Sequence, residues 1–241
     1  MPDAVVPDSS AVRVAVLLAA RGECRGELAA AAREVAVDAA GTLGSTARVM
    51  LLVEVDDDPF PAANPRCRPF DAVLEAQGDA ALGAAPLVDA IGELGGRLGE
   101  VAHMDLSGCL VGAPQEIIPC EPTAVRYLYL MRRRAHTTRA AYLDYYFHHH
   151  SRFGFATPNI RGYTQLHVDP VASAAAARRL GVGSTVVDSV SELHLESLSS
   201  FLAGVADGRL GAEAAADEER FVDRANSVSF CTSSELIARS S

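Results

Sequence analysis

The sequence predicts an α+β chain in which two tandem βαββαβ repeats pack together as one pseudo-symmetric barrel. Three observations carry this. The 241 residues suit one large domain or two small ones. Segments 12–18 and 125–131 resemble each other at an offset of 113, and 48–56 resembles 161–169 at the same offset. Strand-like and helical stretches then follow in the same order in each half.

The opening stretch MPDAVVPDSS lacks the basic and apolar regions of a signal peptide and reads as a disordered leader over 1–10. The first repeat, 11–118, places a strand at 12–18, a helix at 26–40 and an alternating strand at 48–55. A polar, Gly/Pro-rich connection follows, then a strand at 70–76, a helical region at 86–101 and a last strand at 107–113. The second repeat, 123–241, places strands at 125–131, 161–168, 187–195 and 227–232. Its helices fall at 138–150, capped by Thr137 or Thr138, then at 197–206 with 213–224. Phe70-Asp71-Ala72-Val73 meets Val187-Asp188-Ser189-Val190 at offset 117, and Glu116-Ile117-Ile118 meets Glu235-Leu236-Ile237 at offset 119. The offset therefore changes only where loops belong, and Pro119 and Pro122 mark the linker. This is the ferredoxin-like order. One such sheet has helices on one face and leaves the other bare; two sheets can bury their bare faces against each other as a sandwich or closed barrel.

Composition narrows the function. A net charge of -10 argues against a nucleic-acid partner. All 21 basic residues are Arg, so Schiff-base and P-loop lysine chemistry is excluded. Cys24, Cys67, Cys109, Cys120 and Cys231 are scattered without a C-x-x-C pair, which fits reduced thiols in a cytoplasmic protein rather than disulfides or zinc. No apolar run is long enough to span a membrane.

The two halves differ in polar content. The helix at 27–37 is nearly blank, whereas its partner carries Tyr142, Asp144, Tyr145, Tyr146 and His148-His149-His150. Alternation puts Arg161, Tyr163, Gln165 and His167 on one face, opposite Thr164, Leu166 and Val168. The first set is expected to line an internal cavity and the second to pack under helices. Asp188, Val190, Glu192 and His194 share a face of the third strand, and Tyr127 and Tyr129 share one of the first. Tyr, Gln, His and carboxylate groups between apolar walls suit a small organic ligand. Consecutive histidines on a helix point about 100° apart, so His148-His149-His150 is no metal site. His167 and His194 also read as satisfied core histidines, and the tyrosines as packing residues. Arg132-Arg133-Arg134 reads as a solvated loop, and Asp217-Glu218-Glu219 as a charged helix start.

The pattern Tyr145-Tyr146-x-x-x-His150, Pro158-x-x-Arg161-x-Tyr163-x-Gln165-x-His167 resembles the EthD family of dimeric α/β-barrel proteins. Asp188-Ser189-Val190-Ser191-Glu192-Leu193 is similar to that family's third strand, and Asp217-Glu218-x-x-Phe221 to its second-helix segment. The resemblance covers about 125–238, and the first repeat joins only through the duplication. Asn159-Ile160 stands where Gly-Leu is usual, Arg152-Phe153 where Pro-Leu is common, and His194 replaces a common Trp. Similar barrels include cofactor-free monooxygenases, polyketide cyclases, lactone isomerases, decarboxylases and haem enzymes, so fold alone does not name a reaction.

The expectation is a cofactor-independent enzyme acting on a small hydrophobic aromatic or polyketide-like compound, as a lyase (a decarboxylase first) or an isomerase/cyclase. His150 is the expected acid/base, with Tyr163 and His167 beside it as catalytic residues. Tyr127, Tyr129, His149, Arg161, Gln165, Asp188, Glu192 and His194 are the expected substrate-binding residues. The alternatives are a haem- or oxygen-dependent monooxygenase and a non-catalytic binder. The pattern is also compatible with a homodimer of such chains.

Overall fold

The computed structural model describes residues 9–60 and 70–239. Most of the expected leader, and Cys67, lie outside them. Ser9 and Ser10 are tied down: Ser9 Oγ donates to the Pro114 carbonyl at 2.6 Å, and the Ser10 carbonyl accepts from Ala80 N–H.

The first half contains β1 (Ala11–Leu18), α1 (Arg25–Leu43), β2 (Ala47–Glu54), β3 (Ala72–Asp79), α2 (Ala84–Ile91), α3 (Gly95–Leu98) and β4 (Gly108–Ile118). The second contains β5 (Val125–Met131), α4 (Arg139–Tyr145), which continues as a π-turn over Tyr146–His150, then α5 (Arg152–Ala156) and β6 (Ile160–Val168). It ends with α6 (Pro170–Leu180), β7 (Ser189–Leu195), α7 (Leu198–Gly204), α8 (Arg209–Glu218) and β8 (Val228–Ala238). Thr138 caps α4 by accepting from Ala141 N–H. The eight strands form a closed antiparallel barrel in the order β1-β3-β2-β8-β5-β7-β6-β4. Each half is thus a ferredoxin-like sheet, ordered β4-β1-β3-β2 and β8-β5-β7-β6.

The register repeats between halves. Val14 faces Ala76, and at offsets of 113 and 117 Tyr127 faces Leu193. Asp71 N–H donates to Leu18 and Asp188 N–H to Met131, while their carboxylates accept from Ala20 N–H and Arg133 N–H at 2.7 and 2.9 Å. The same loop anchor is built twice. It corrects two expectations: Asp188 is a structural pin, and Arg133 is bound to it at 3.0 Å rather than free in solvent.

The last strands are longer than their alternation suggests, and they make the seams. The first part of β4 pairs with β1, and its later part, Gly112–Ile118, pairs with β6. Likewise β8 pairs first with β5 and then with β2. Each half therefore hands its last strand to the other.

One helix corrects the expected connection after 168. Asp169 Oδ1 accepts from Val171 and Ala172 N–H at 2.8 and 3.0 Å, Pro170 occupies the first turn, and Gly181 closes α6 at φ 74°. These are the ordinary start and stop devices of a helix. Asp169→Ala is expected to cost about 1 kcal/mol, read as a lower urea midpoint at unchanged slope.

Two apolar layers result, and they settle which way each strand face points. The helix layer buries Val14, Val16, Val49, Leu51 and Leu74 under Leu28, Val35, Leu87 and Leu98. The barrel interior takes Ala15, Leu17, Met50, Leu52, Val73, Leu110, Leu128, Leu130, Leu166, Val168, Val190 and Phe230, contributed by all eight strands. One end of that interior is charged. Glu75 binds Arg126 at 2.9 Å and Arg13 at 3.3 Å, and Arg13 also binds Glu192. Gln77 accepts from Arg13 Nε and Arg48 Nη2. Burial pushes the Glu75 carboxyl up, but Arg13, Arg126 and Arg48 outweigh it and hold the group below the usual carboxylate range. No described helix is long and apolar enough to cross a membrane.

Candidate functional site

The site grows from the helix that follows β5. Tyr142, Tyr146 and His150 are buried and spaced four apart. In a regular α-helix each such step drifts by about 40°. The wider turn at 146–150, with Ser151 N–H bonding the Tyr146 carbonyl, takes part of that drift back. His150 therefore points inward below Tyr146, with ring centroids 6.0 Å apart. His148 and His149 are exposed, and His149 stacks on Tyr145 at the surface. Among the described residues no group of His, Cys, Asp and Glu could hold a metal ion.

His150 Nδ1 lies 2.9 Å from Asp217 Oδ2. Asp217 also accepts from Tyr145 OH at 2.8 Å and Arg152 Nη2 at 2.9 Å. Burial pushes its pKa up, and these partners outweigh that and keep it below its ordinary value. An ionised carboxylate only accepts, so His150 donates through Nδ1 and leaves the Nε2 lone pair free. That nitrogen faces Glu218 Oε1 at 3.9 Å. Burial against Phe153 and Phe221 lowers the His150 pKa despite the Asp217 hydrogen bond.

Glu218 is the group that reaches open space. It lines a cavity of about 440 Å³ together with Phe60, Tyr127, Tyr129, Ala214 and Arg224. The cavity lies between the outer face of β5 and β8 and the small residues of α8. Glu218 Oε2 accepts from Tyr129 OH at 3.4 Å and pairs with Arg224 Nε at 3.1 Å. Desolvation is the largest influence and raises its pKa to about 7, against the opposing pull of Arg224 and Tyr129. Asp217 and Glu218 end α8 rather than starting a helix, which corrects the reading of 217–219. Carboxylates at a helix C-terminus are disfavoured by the dipole, so their presence there needs another reason. At the equivalent place in the first half, Val14 and Val16 fill the space with core.

The structure divides these expected site residues among four places. Tyr163, Gln165 and His167 lie under the helices, not inside the barrel; the strand faces are reversed from expectation, because Leu166 and Val168 point inward. Gln165 Nε2 donates to Tyr163 OH at 2.8 Å and to the Tyr146 carbonyl at 3.2 Å, and His167 Nε2 meets Gln165 Oε1 at 3.1 Å. Burial, helped by Arg139, lowers His167 to about 4, so it is a neutral hydrogen-bonding group at physiological pH. This network packs around Tyr146 and the backbone of Gly154, where an added Cβ would sit 2.2 Å from the Tyr163 ring.

Glu192 and His194 point into the barrel, on the opposite side of the sheet. Glu192 belongs to the Arg13 network, and burial lowers His194 to about 3. Arg161 is exposed and pairs with Glu196 at 2.5 Å, so it and His149 are corrected to surface residues. Tyr127 and Tyr129 do line the cavity. Glu218, Asp217 and Arg224 were missed as site residues, although the family-like Asp217-Glu218-x-x-Phe221 segment contains the first two. Asn159 replaces the usual glycine in a left-handed turn at φ 58°, a conformation Asn tolerates better than most residues.

Fold and site together define a single-chain barrel of the dimeric α/β-barrel type, with the polar groups of the cavity coming from the second half. Residues 134–225 match the model of the EthD domain. No curated protein matches the chain. An anthrone oxidase-like protein aligns over 97% of this chain and 96% of its own at 11% identity, with a TM-score of 0.58. A mutant chlorite dismutase from Candidatus Nitrospira defluvii, in complex with cyanide, aligns over 96% and 93% at 9% identity and 0.54. A dye-decolorizing peroxidase from Bacteroides thetaiotaomicron VPI-5482 aligns over 97% and 96% at 8% identity and 0.50. At such identities these likenesses show the fold.

The described residues around the cavity do not suit a haem. That group needs an axial ligand facing the space. Among the described residues no histidine or cysteine lines it, Tyr129 is bound to Glu218, His167 is bound to Gln165, and the free Nε2 of His150 faces Glu218.

Proposed function

We propose that the protein is a cofactor-independent enzyme that removes a proton from a small hydrophobic aromatic or polyketide-like compound, with Glu218 as the base. The observation that carries this is a carboxyl group with a pKa near 7 lining an aromatic cavity, the poise expected of a general base. Phe60 and Tyr127, with ring centroids 4.9 Å apart, supply the apolar wall. Arg224 and the Tyr129 hydroxyl stand beside Glu218 to stabilise the developing enolate or phenolate oxygen.

Proton removal favours isomerisation or ring closure over decarboxylation, because an ionised Glu218 repels a substrate carboxylate. An anthrone-like phenolic ketone has a suitably acidic C–H, and its deprotonation is also the first step of cofactor-free oxygenation. Aromatic ketones and polyketide-like phenols are the compounds to assay, with product formation and oxygen uptake followed together. The ratio kcat/KM is expected to rise with pH through about 7 as Glu218 ionises, then level off. A flat profile across that range, or no turnover of any such compound, would sink the reading. Oxygen uptake matching product would make the enzyme an oxygenase using the same base.

A further inference from the structure

On the cavity side Glu218 meets Arg224, a cation, and the Tyr129 hydroxyl, which already donates to it, so neither takes its proton; a base must lose each proton it gains before it can act again. Behind Glu218, away from the cavity, stands His150 with an unprotonated nitrogen facing it at 3.9 Å. We propose that His150, held by Asp217, is a proton exit from Glu218 to the surface at α5. This rests on the reading of Glu218 as the base.

The steps balance. When Glu218 is ionised, Arg224 at 3.1 Å holds its carboxylate on the cavity side. Once protonated, the neutral carboxyl loses most of that attraction, and its O–H can close the short remaining gap to His150 Nε2. The O–H bond breaks and an N–H bond forms, restoring the Glu218 carboxylate and giving an imidazolium. Asp217, 2.9 Å from Nδ1, stabilises that cation. The imidazolium then loses its Nε2 proton to water on the α5 side, where Arg152 is exposed; the N–H bond breaks there, Nδ1–H stays bonded to Asp217, and neutral His150 returns. One proton enters from the substrate and one leaves to solvent.

The groups facing His150 suit a relay. Asp217 and Glu218 approach from α8, and Arg152 reaches Asp217 from α5. The rings of Tyr146, Phe153 and Phe221 surround the imidazole. Arg152 and the apolar rings disfavour a resting imidazolium, so the proton does not stay there. His150 acts through Glu218 and is a positioning and relay residue rather than a catalytic one.

The test needs no substrate. Protonated Glu218 has an infrared carbonyl stretch that Glu218→Gln removes. Its decay after a rapid jump from acid to alkaline pH reports how fast that proton escapes. In His150→Ala the decay is expected to slow by about tenfold or more, and added imidazole should restore it. Asp217→Asn, which keeps the size but not the charge, should slow it partly. Far-UV circular dichroism checks that each variant is folded, and imidazole rescue separates lost proton transfer from a disturbed fold. An unchanged decay in His150→Ala, with the Glu218 band still titrating near neutrality, would overturn the relay alone. The absence of any such band in the wild-type protein would overturn the assignment of Glu218 as base, and the relay with it.

Discussion

Glu218→Gln is expected to lower turnover by about 10²- to 10⁴-fold while making the protein more stable at alkaline pH. The two effects share one cause. In the fold the carboxyl is held near 7, against an ordinary value of 4.5. Below the ordinary value it is protonated in both the folded and unfolded chain, and no penalty arises. As pH rises from there through 7, the unfolded chain releases its proton first, and the folded state loses stability until Glu218 ionises. The difference is on the order of 3 kcal/mol, and a glutamine does not suffer it. Urea unfolding at about pH 4 should therefore show similar stability for both proteins, and at about pH 8 an advantage for the variant. Retained activity, or a stability difference that ignores pH, would contradict this account.

Glu75→Gln is expected to have the largest effect on stability, a loss of about 3–5 kcal/mol. Glu75 lies between Arg13 and Arg126, which are 2% and 0% exposed, and its removal leaves buried cations short of a counter-charge. Arg13 retains Glu192; Arg126 has Glu192 only at 4.0 Å. Replacing both partners, Glu75→Leu with Arg126→Met, should recover much of the loss, because it removes the stranded charge together with its partner. The pH dependence has the opposite sign to that of Glu218. The folded-state pKa of Glu75 is depressed, so its contribution is present above the usual carboxylate range and fades as pH falls towards the folded value. Chemical unfolding of the single and double variants, repeated at acid pH, measures the coupling directly. Additive losses would show that the network is not one unit.

Much of the fold was legible because the duplication preserved spacing. The offset of 113 between Val14 and Tyr127 survives in the register of both sheets, so strand order follows from the repeat. Two features escaped. Helix α6 has Asp169, Pro170 and Gly181 at its ends, yet the first half has no helix at the corresponding place among the described residues, and the repeat argued for a connection. The direction of the strand faces also escaped, for a physical reason. A closed barrel covered by helices buries both faces, so alternation groups Tyr163, Gln165 and His167 together but cannot say which side they take. The site was half legible. Tyr127 and Tyr129 line the cavity and His150 faces Glu218, whereas Asp217 and Glu218 looked like a charged helix start. Only the three-dimensional ending of α8 shows them at its unfavourable end and turned inward.

The exchange of last strands between the halves has a consequence for how such a protein can change. If the barrel were assembled from two identical chains, every substitution would appear twice, and symmetry would force two equal sites. Joining the halves through 119–124 lifts that obligation. A residue such as Tyr129 can be altered in one half while its counterpart Val16 keeps packing under α1 and α2. One half is thereby released to carry chemistry that burdens the fold, while the other supplies the seam strands β2 and β4 that keep the barrel shut.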